Sequence, residues 1–425
     1  MWYIVLDSIH FYKSRKGGLE MELYFPLILD GANGTELQKR GYDGSVCAET
    51  WVLEHPEVMQ QIQKEYVEAG SDVVYAPTFG ANRVKLEENG IFNQVADYNK
   101  RLTAVSREAV GDRALVAGDI ATTGKFLAPV GDVTFDELYD IYHEQAQALE
   151  EAGVDMFAIE TIMTVPDARA ALLAVRDVSD KPVLVSFTCD ENGRTLTGTD
   201  VLAALTIMQG MEIDAFGLNC STGPDKMLIQ ARRVAEYATV PVAIKPNAGL
   251  PQTIDGKTVY TCTPDEFVQY TGEFAAAGAV MFGGCCGTGP EHIRALRESV
   301  EGIELRKPDI SDDGRIICAT EKDMFILDKE METGNIITCG EDLEDRIREA
   351  NRSEEKIMAV EIREAADLDE FEAAQYAVRK PLCIVCDDAD LLELALRLYQ
   401  GRALYAGSLA AAELLPLVRR YGLIA

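Results

Sequence analysis

Between residues 25 and 287, short apolar runs alternate with longer stretches whose apolar positions recur on a helical period. The runs cover 25–30, 72–78, 114–120, 154–160, 182–189, 215–220, 241–247 and 280–285. Several are nearly continuous Val, Ile, Leu, Phe and Ala, the pattern of parallel strands buried on both faces. Between them, Val58, Met59, Ile62, Tyr66 and Ala69 mark one side of a helix, and Leu138, Ile141, Tyr142, Ala146 and Leu149 mark one side of another. Thr134 and Glu137 have capping-box spacing, and Pro166 stands early in its helix, where a missing N–H costs little. Gly70, Gly153 and Gly278 fall at helix-to-strand joints, where a left-handed residue can end a helix. Eight βα units with right-handed crossovers close naturally on themselves. The fold class expected is α/β, a (β/α)8 TIM barrel over residues 21–303.

Both ends depart from this rhythm. In residues 1–20 the basic cluster follows the apolar patch, the wrong order for a secretory signal, so a poorly ordered extension is expected. From Asp309 to Gly314 the chain is mostly polar and reads as a linker. Beyond it, strands near 315–319, 356–360 and 381–386 and helices at 341–350, 391–399 and 410–421 suggest a small C-terminal α/β domain within residues 304–425.

Composition narrows the function classes. Net charge is −31, which argues against a nucleic-acid partner. No apolar run approaches the ~18 residues of a membrane span. Ten cysteines in 425 residues are too few for a disulfide scaffold, and their place on apolar strands suggests a reducing, cytoplasmic setting.

Barrel enzymes work at the C-terminal ends of their strands. The residues at those ends are Asp30, Thr78, Asp119, Glu160, Cys220, Asn247, Cys285 and Cys286. Cys285 and Cys286 are adjacent among Gly283, Gly284 and Gly287, which are expected to allow the backbone angles of a sharp turn. Cys220 lies 65 residues upstream at another strand end. Three thiolates converging on one rim suit zinc and leave a fourth position open, the mark of a catalytic rather than a structural site.

Other candidates are weaker. Cys383 and Cys386 lie inside an apolar run and read as buried structural thiols. His10, His55, His143 and His292 share no spacing, and surface or capping roles are expected. No glycine-rich dinucleotide or P-loop motif follows a strand.

Residues from about 21 to 302 resemble the homocysteine S-methyltransferase family, which includes the homocysteine-binding module of cobalamin-dependent methionine synthase and betaine–homocysteine methyltransferase. The likeness rests on Asp30-Gly-Ala-Asn-Gly-Thr35, Thr78-Phe-Gly-Ala-Asn82, Glu160-Thr161, Leu196-Thr-Gly-Thr-Asp200, Gly217-Leu-Asn-Cys-Ser221, Lys245-Pro-Asn-Ala-Gly249 and Gly283-Gly-Cys-Cys-Gly287, in order along the barrel. Asn33 departs from the methionine common at its position.

The resemblance implies Zn2+ held by Cys220, Cys285 and Cys286, with Asn247 approaching the metal when substrate is absent. It implies that Asp30 and Glu160 hold the homocysteine ammonium and that the backbone of Gly31, Ala32 and the stretch to Thr35 holds its carboxylate. Asn219 and Ser221 are expected to touch substrate. The reaction implied is methyl transfer to a zinc-bound thiolate, yielding methionine. The donor stays open among a methylcorrinoid carried by a separate protein, S-methylmethionine and betaine. Another thiol or selenol acceptor, or a non-catalytic zinc-bearing docking subunit for a corrinoid protein, are the alternatives. The tail more weakly resembles the start of a pterin-binding barrel through residues 381–390 and 417–422. It lacks the pterin motif, so no folate binding is expected, and Asp-x-His-x-x-Gly for cobalamin is missing.

Overall fold

The computed structural model describes residues 23–254, 257–306, 314–328 and 332–425, with a short pairing of Val5–Leu6 and Ile9–His10. The extension expected over residues 1–20 otherwise lies outside the described residues, as does most of the linker expected at Asp309–Gly314.

All eight expected strands form. They are β1 (Leu27–Ile28), β2 (Val73–Tyr75), β3 (Leu115–Ile120), β4 (Met156–Ile162), β5 (Val183–Phe187), β6 (Ala215–Asn219), β7 (Val242–Lys245) and β8 (Ala279–Phe282). Every pairing is parallel between neighbours in sequence, with β8 beside β1. The barrel closes where Leu29 bridges Val73 and Asp72 N donates to Ile28 O at 2.7 Å. The strands read as continuous apolar runs because both faces are buried. Leu27, Leu29, Val73, Ala117, Met156, Ala158, Leu184, Ala215, Ala243 and Met281 form the inner cluster. Ile28, Val74, Val116, Phe157, Ile159, Val185 and Phe216 pack in the cluster shared with the helices.

Local chemistry ends several helices as the sequence suggests. Thr134 N donates to Glu137 Oε2 at 2.8 Å and Glu137 N donates back to Thr134 Oγ1 at 3.1 Å, closing the capping box. Gly70, Gly153 and Gly278 take φ of +106°, +78° and +84° at their joints.

The tail pairs β9 (Arg315–Ala319) with β10 (Met324–Asp328), then builds a parallel sheet from β11 (Ile336–Thr338), β12 (Met358–Glu361), β13 (Leu382–Val385) and β14 (Leu404–Ala406), in that order. It is seated on the barrel. Helix Val201–Gly210 is apolar on nearly every side and Val165–Val178 is buried on nearly every side, and the tail covers the faces turned away from the sheet. Buried Arg169 donates from Nη2 to Leu396 O at 2.7 Å. Arg420 clasps Asp177 through both terminal nitrogens, and Lys322 Nζ donates to Thr197 O at 2.8 Å. A chain ending at Arg306 should therefore unfold at lower temperature and bind more apolar dye than the full chain, each large side chain uncovered costing roughly 1.5–3 kcal/mol. An unchanged melting temperature would show that the barrel stands without its cover.

No helix among the described residues is long and apolar enough to cross a membrane.

Candidate active site

The three thiols meet because two strand ends and one turn are tied together. After β6 the chain bends sharply: Cys220 and Ser221 have φ of +61° and +64°, and Thr222 N donates to Cys220 O at 2.7 Å. Two successive left-handed non-glycine residues cost about 1–3 kcal/mol each and persist only where the surroundings hold them. Here the Lys245–Ala248 turn does the holding. Cys220 N donates to Lys245 O at 3.1 Å, Cys285 N to Pro246 O at 2.8 Å, and Ala248 N to Cys286 O at 2.9 Å.

The glycines beside the cysteines have different tasks from those expected. Only Gly287 needs a left-handed backbone, at φ +84°. Gly283 and Gly284 are there for space. A Cβ on Gly283 would stand 2.8 Å from Leu29 Cβ, and one on Gly284 would stand 2.3 Å from Thr288 Oγ1.

The Sγ atoms of Cys220, Cys285 and Cys286 all lie within 4.8 Å of one another, with Cys220 and Cys286 3.9 Å apart. Tetrahedral zinc with Zn–S near 2.3 Å puts its sulfurs about 3.8 Å apart, so the trio fits that ion. Thiol hydrogen bonds from Cys220 and Cys285 hold the Cys286 thiol down to about 3, against its burial. Cys220 and Cys286, with burial, push the Cys285 thiol well up. Asn247 lies on the bracing turn, and its Oδ1 is buried without a hydrogen-bond partner.

Beside the sulfurs opens a cavity of about 320 Å³, large enough for a small amino acid. Asp30, Gly31, Ala32, Asn33, Gly34, Thr35, Glu160, Cys220, Cys285 and Cys286 line it, so most of the expected site residues come together. Asn219 and Ser221 are not among the lining residues. Asn219 accepts from Thr161 N at 3.0 Å and donates to Thr161 Oγ1 at 2.8 Å, which fixes the residue next to Glu160. Ser221 takes part in the bend that aims Cys220. Ala32 N is already committed to Thr288 O at 3.1 Å. The helix Asn33–Lys39 starts at the cavity, and the first N–H groups of a helix have no partner within it.

A buried cation also lines the cavity. Lys245 is buried at the end of β7, its Nζ 3.0 Å from Asp30 Oδ1, 3.7 Å from Glu160 Oε2 and 3.5 Å from the centre of the Tyr75 ring. Burial works against its ammonium, but Asp30, Tyr75 and Glu160 together hold it well above the usual lysine range. Asp30 Oδ2 also accepts from Tyr75 N at 2.8 Å. Two further buried acids line the cavity. Glu49 accepts from Gly80 N at 2.7 Å, and burial raises it. Asp119 is raised well above the carboxylate range by burial and by the charge of Glu160. Tyr260, on the loop after β7, packs over Gly287.

The remaining candidates stay apart. Cys383 and Cys386 are buried in the tail, and Cys386 Sγ donates to Asp388 O at 3.2 Å. His292 caps a helix, its Nδ1 accepting from Gly289 N at 3.2 Å.

Residues 27–300 match the homocysteine S-methyltransferase family. The chain is 32% identical over 305 residues to the methionine synthase of Mycobacterium tuberculosis, covering 67% of this chain and 25% of that protein. Its likeness to the methionine synthase of Mycobacterium leprae is 32% over 294 residues, or 64% and 24%. The chain thus spans about a quarter of the length of the curated relatives it matches. Among solved structures, the metallated form of the homocysteine methyltransferase MmuM from Escherichia coli shares the fold. Its TM-score is 0.55 at 23% identity, covering 64% of this chain and 95% of that one.

Proposed function

The chain belongs to the homocysteine S-methyltransferase family, and we propose that it methylates the thiol of homocysteine in a zinc-dependent reaction that yields methionine. One observation carries this reading: three cysteine sulfurs spaced for one zinc ion stand at the wall of a cavity lined by buried carboxylates and a helix start. Bound zinc would supply the Lewis acidity that keeps the acceptor sulfur ionised near neutral pH, where a free thiol of pKa about 8.5 is mostly protonated.

The chain's own residues do the rest. Cys220, Cys285 and Cys286 would hold the ion and, as three thiolates, leave the acceptor electron-rich. Asn247 is the residue proposed to approach the metal before substrate arrives. The backbone of Gly31 and of the helix start through Thr35 would receive the substrate carboxylate. Asp30 and Glu160, both lining the cavity, would bind the ammonium. The rigid turn at Lys245–Ala248 fixes the sulfurs before substrate enters, so transfer needs orientation more than a dedicated base.

For the donor we propose a methylcorrinoid on a separate protein, in keeping with the likeness to methionine synthases. We place the reaction in the cytosol and the barrel within residues 21–303. The tail, residues 304–425, would pack against the barrel and bind no folate. The zinc-loaded chain should be assayed for methionine formation with methylcobalamin, S-methylmethionine and betaine in turn. Turnover with none of them would favour the docking-subunit reading instead. Glu160→Gln should weaken homocysteine binding by roughly 1.5–3 kcal/mol while zinc stays bound. Unchanged affinity by calorimetry would move the anchor elsewhere.

A further inference from the structure

A second cavity, of about 460 Å³, opens where the tail meets the barrel, and it shares no lining residue with the one beside the thiols. One wall is the loop after β3 and the start of the helix Phe135–Ala152. The other is the helix Ala365–Ala374 with the turn that follows it. Acids come from both sides, Asp132 from the barrel and Asp369 and Glu372 from the tail. No lysine or arginine is among the lining residues, and among the described residues none of these three carboxylates has an ion-pair or hydrogen-bond partner. Asp136, whose charge reaches Glu372, is already paired with Arg397 at 2.6 Å. Burial and the charges of Asp136 and Asp369 hold Glu372 above the usual carboxylate range, the state of an acid crowded by others.

Acids at a surface are ordinary, but this cleft also has a buried acceptor. Gln400 lines it and is only 1% exposed. Its Nε2 donates to Leu398 O at 2.7 Å, while its Oε1 is buried with no hydrogen-bond partner. A buried oxygen in that state calls for a donor. One metal ion does not meet the demand. Among the described residues only the thiol trio brings three such ligand atoms within 4.8 Å of one another, so the acids of the cleft are too spread to hold an ion together. Leu127, Pro129, Val133 and Leu398 supply apolar wall between the polar groups, which suits the methylene stem of an organic cation.

We propose that this cleft binds a linear aliphatic polyamine, its ammonium groups reaching Asp132, Asp369, Glu372 and the Gln400 carbonyl while its methylene segments lie on the apolar wall. An ammonium carries three donors and no acceptor, which matches a cleft lined by acceptors. Bound there, the polyamine bridges tail and barrel and raises the melting temperature of the chain. The site is separate from the thiols and does not depend on the proposed methyl transfer.

Spermidine is the probe, titrated by calorimetry into the zinc-loaded full chain and into two charge-matched double variants. One, Asp369→Asn with Glu372→Gln, changes the cleft; the other, Glu87→Gln with Glu301→Gln, changes exposed acids that do not line it. The native chain should bind one spermidine saturably. The cleft variant should bind it roughly 5- to 30-fold more weakly, and the control variant within about twofold of native. Gln400→Leu, checked for folding by its melting temperature without ligand, should also weaken binding. Equal losses in the two double variants would show attraction to the net charge alone and overturn the site, as would the absence of saturable binding by the native chain. Displacement of spermidine by magnesium chloride, beyond that caused by sodium chloride at the same ionic strength, would overturn the polyamine in favour of a metal ion.

Discussion

Cys285→Ala should leave the purified chain without stoichiometric zinc and without methyl transfer. The three sulfurs within 4.8 Å of one another are the thiolates proposed to hold the ion, so losing one leaves only two of them. Removing mere outer partners of a metal ligand costs about 10–100-fold in affinity, and loss of a ligand itself should exceed 100-fold. The backbone amide of residue 285 would still donate to Pro246 O, so the barrel should fold. Elemental analysis and a methionine-formation assay on the same preparation would check both losses. Full zinc occupancy in a variant lacking Cys220, Cys285 and Cys286 would rule the site out.

The second large effect concerns Lys245. Lys245→Met should destabilise the chain by about 3–5 kcal/mol, because it leaves the buried charge of Asp30 without its counter-ion. Adding Asp30→Asn should recover part of the loss, since the uncompensated carboxylate is then gone. Urea unfolding of the two single variants and the double variant would measure the coupling. Strictly additive losses would show that the two side chains do not interact.

Much of this was legible in the chain because its physics is local. Apolar runs of six to eight residues between helical stretches are the pattern of strands buried on both faces, and all eight appear. The thiol trio was legible because zinc chemistry restricts residue type and place together. Lys245 was harder. It sits in register after inward-facing Ala243, so alternation places it inside the barrel, but one chain stretch does not say which acids await it there. Asp119 follows Ala117 in the same way and also reaches the cavity. Asn219, expected to touch substrate, has its side-chain amide engaged with Thr161 two strands away, a pairing that only the closed barrel reveals.

The tail shows the opposite case. Helix Val201–Gly210 is apolar on nearly every side and Val165–Val178 is buried on nearly every side, because the tail covers their outer faces, a contact that the pattern of the tail alone does not announce. Within it, β10, β11, β14 and the helix Ala365–Ala374 were not expected. The strands are only three to five residues long and mostly half-exposed, so they carry little apolar contrast. The helix is rich in acids and is held partly by a carboxyl, Asp367, that accepts from Arg363 N at 2.8 Å.

The central claim is that the acceptor thiol becomes the fourth ligand of a zinc ion held by Cys220, Cys285 and Cys286. X-ray absorption at the zinc edge, on the purified chain with and without homocysteine, tests it most directly. Three sulfur neighbours and one lighter atom should become four sulfurs on adding the amino acid. A sulfur count unchanged by saturating homocysteine would contradict it.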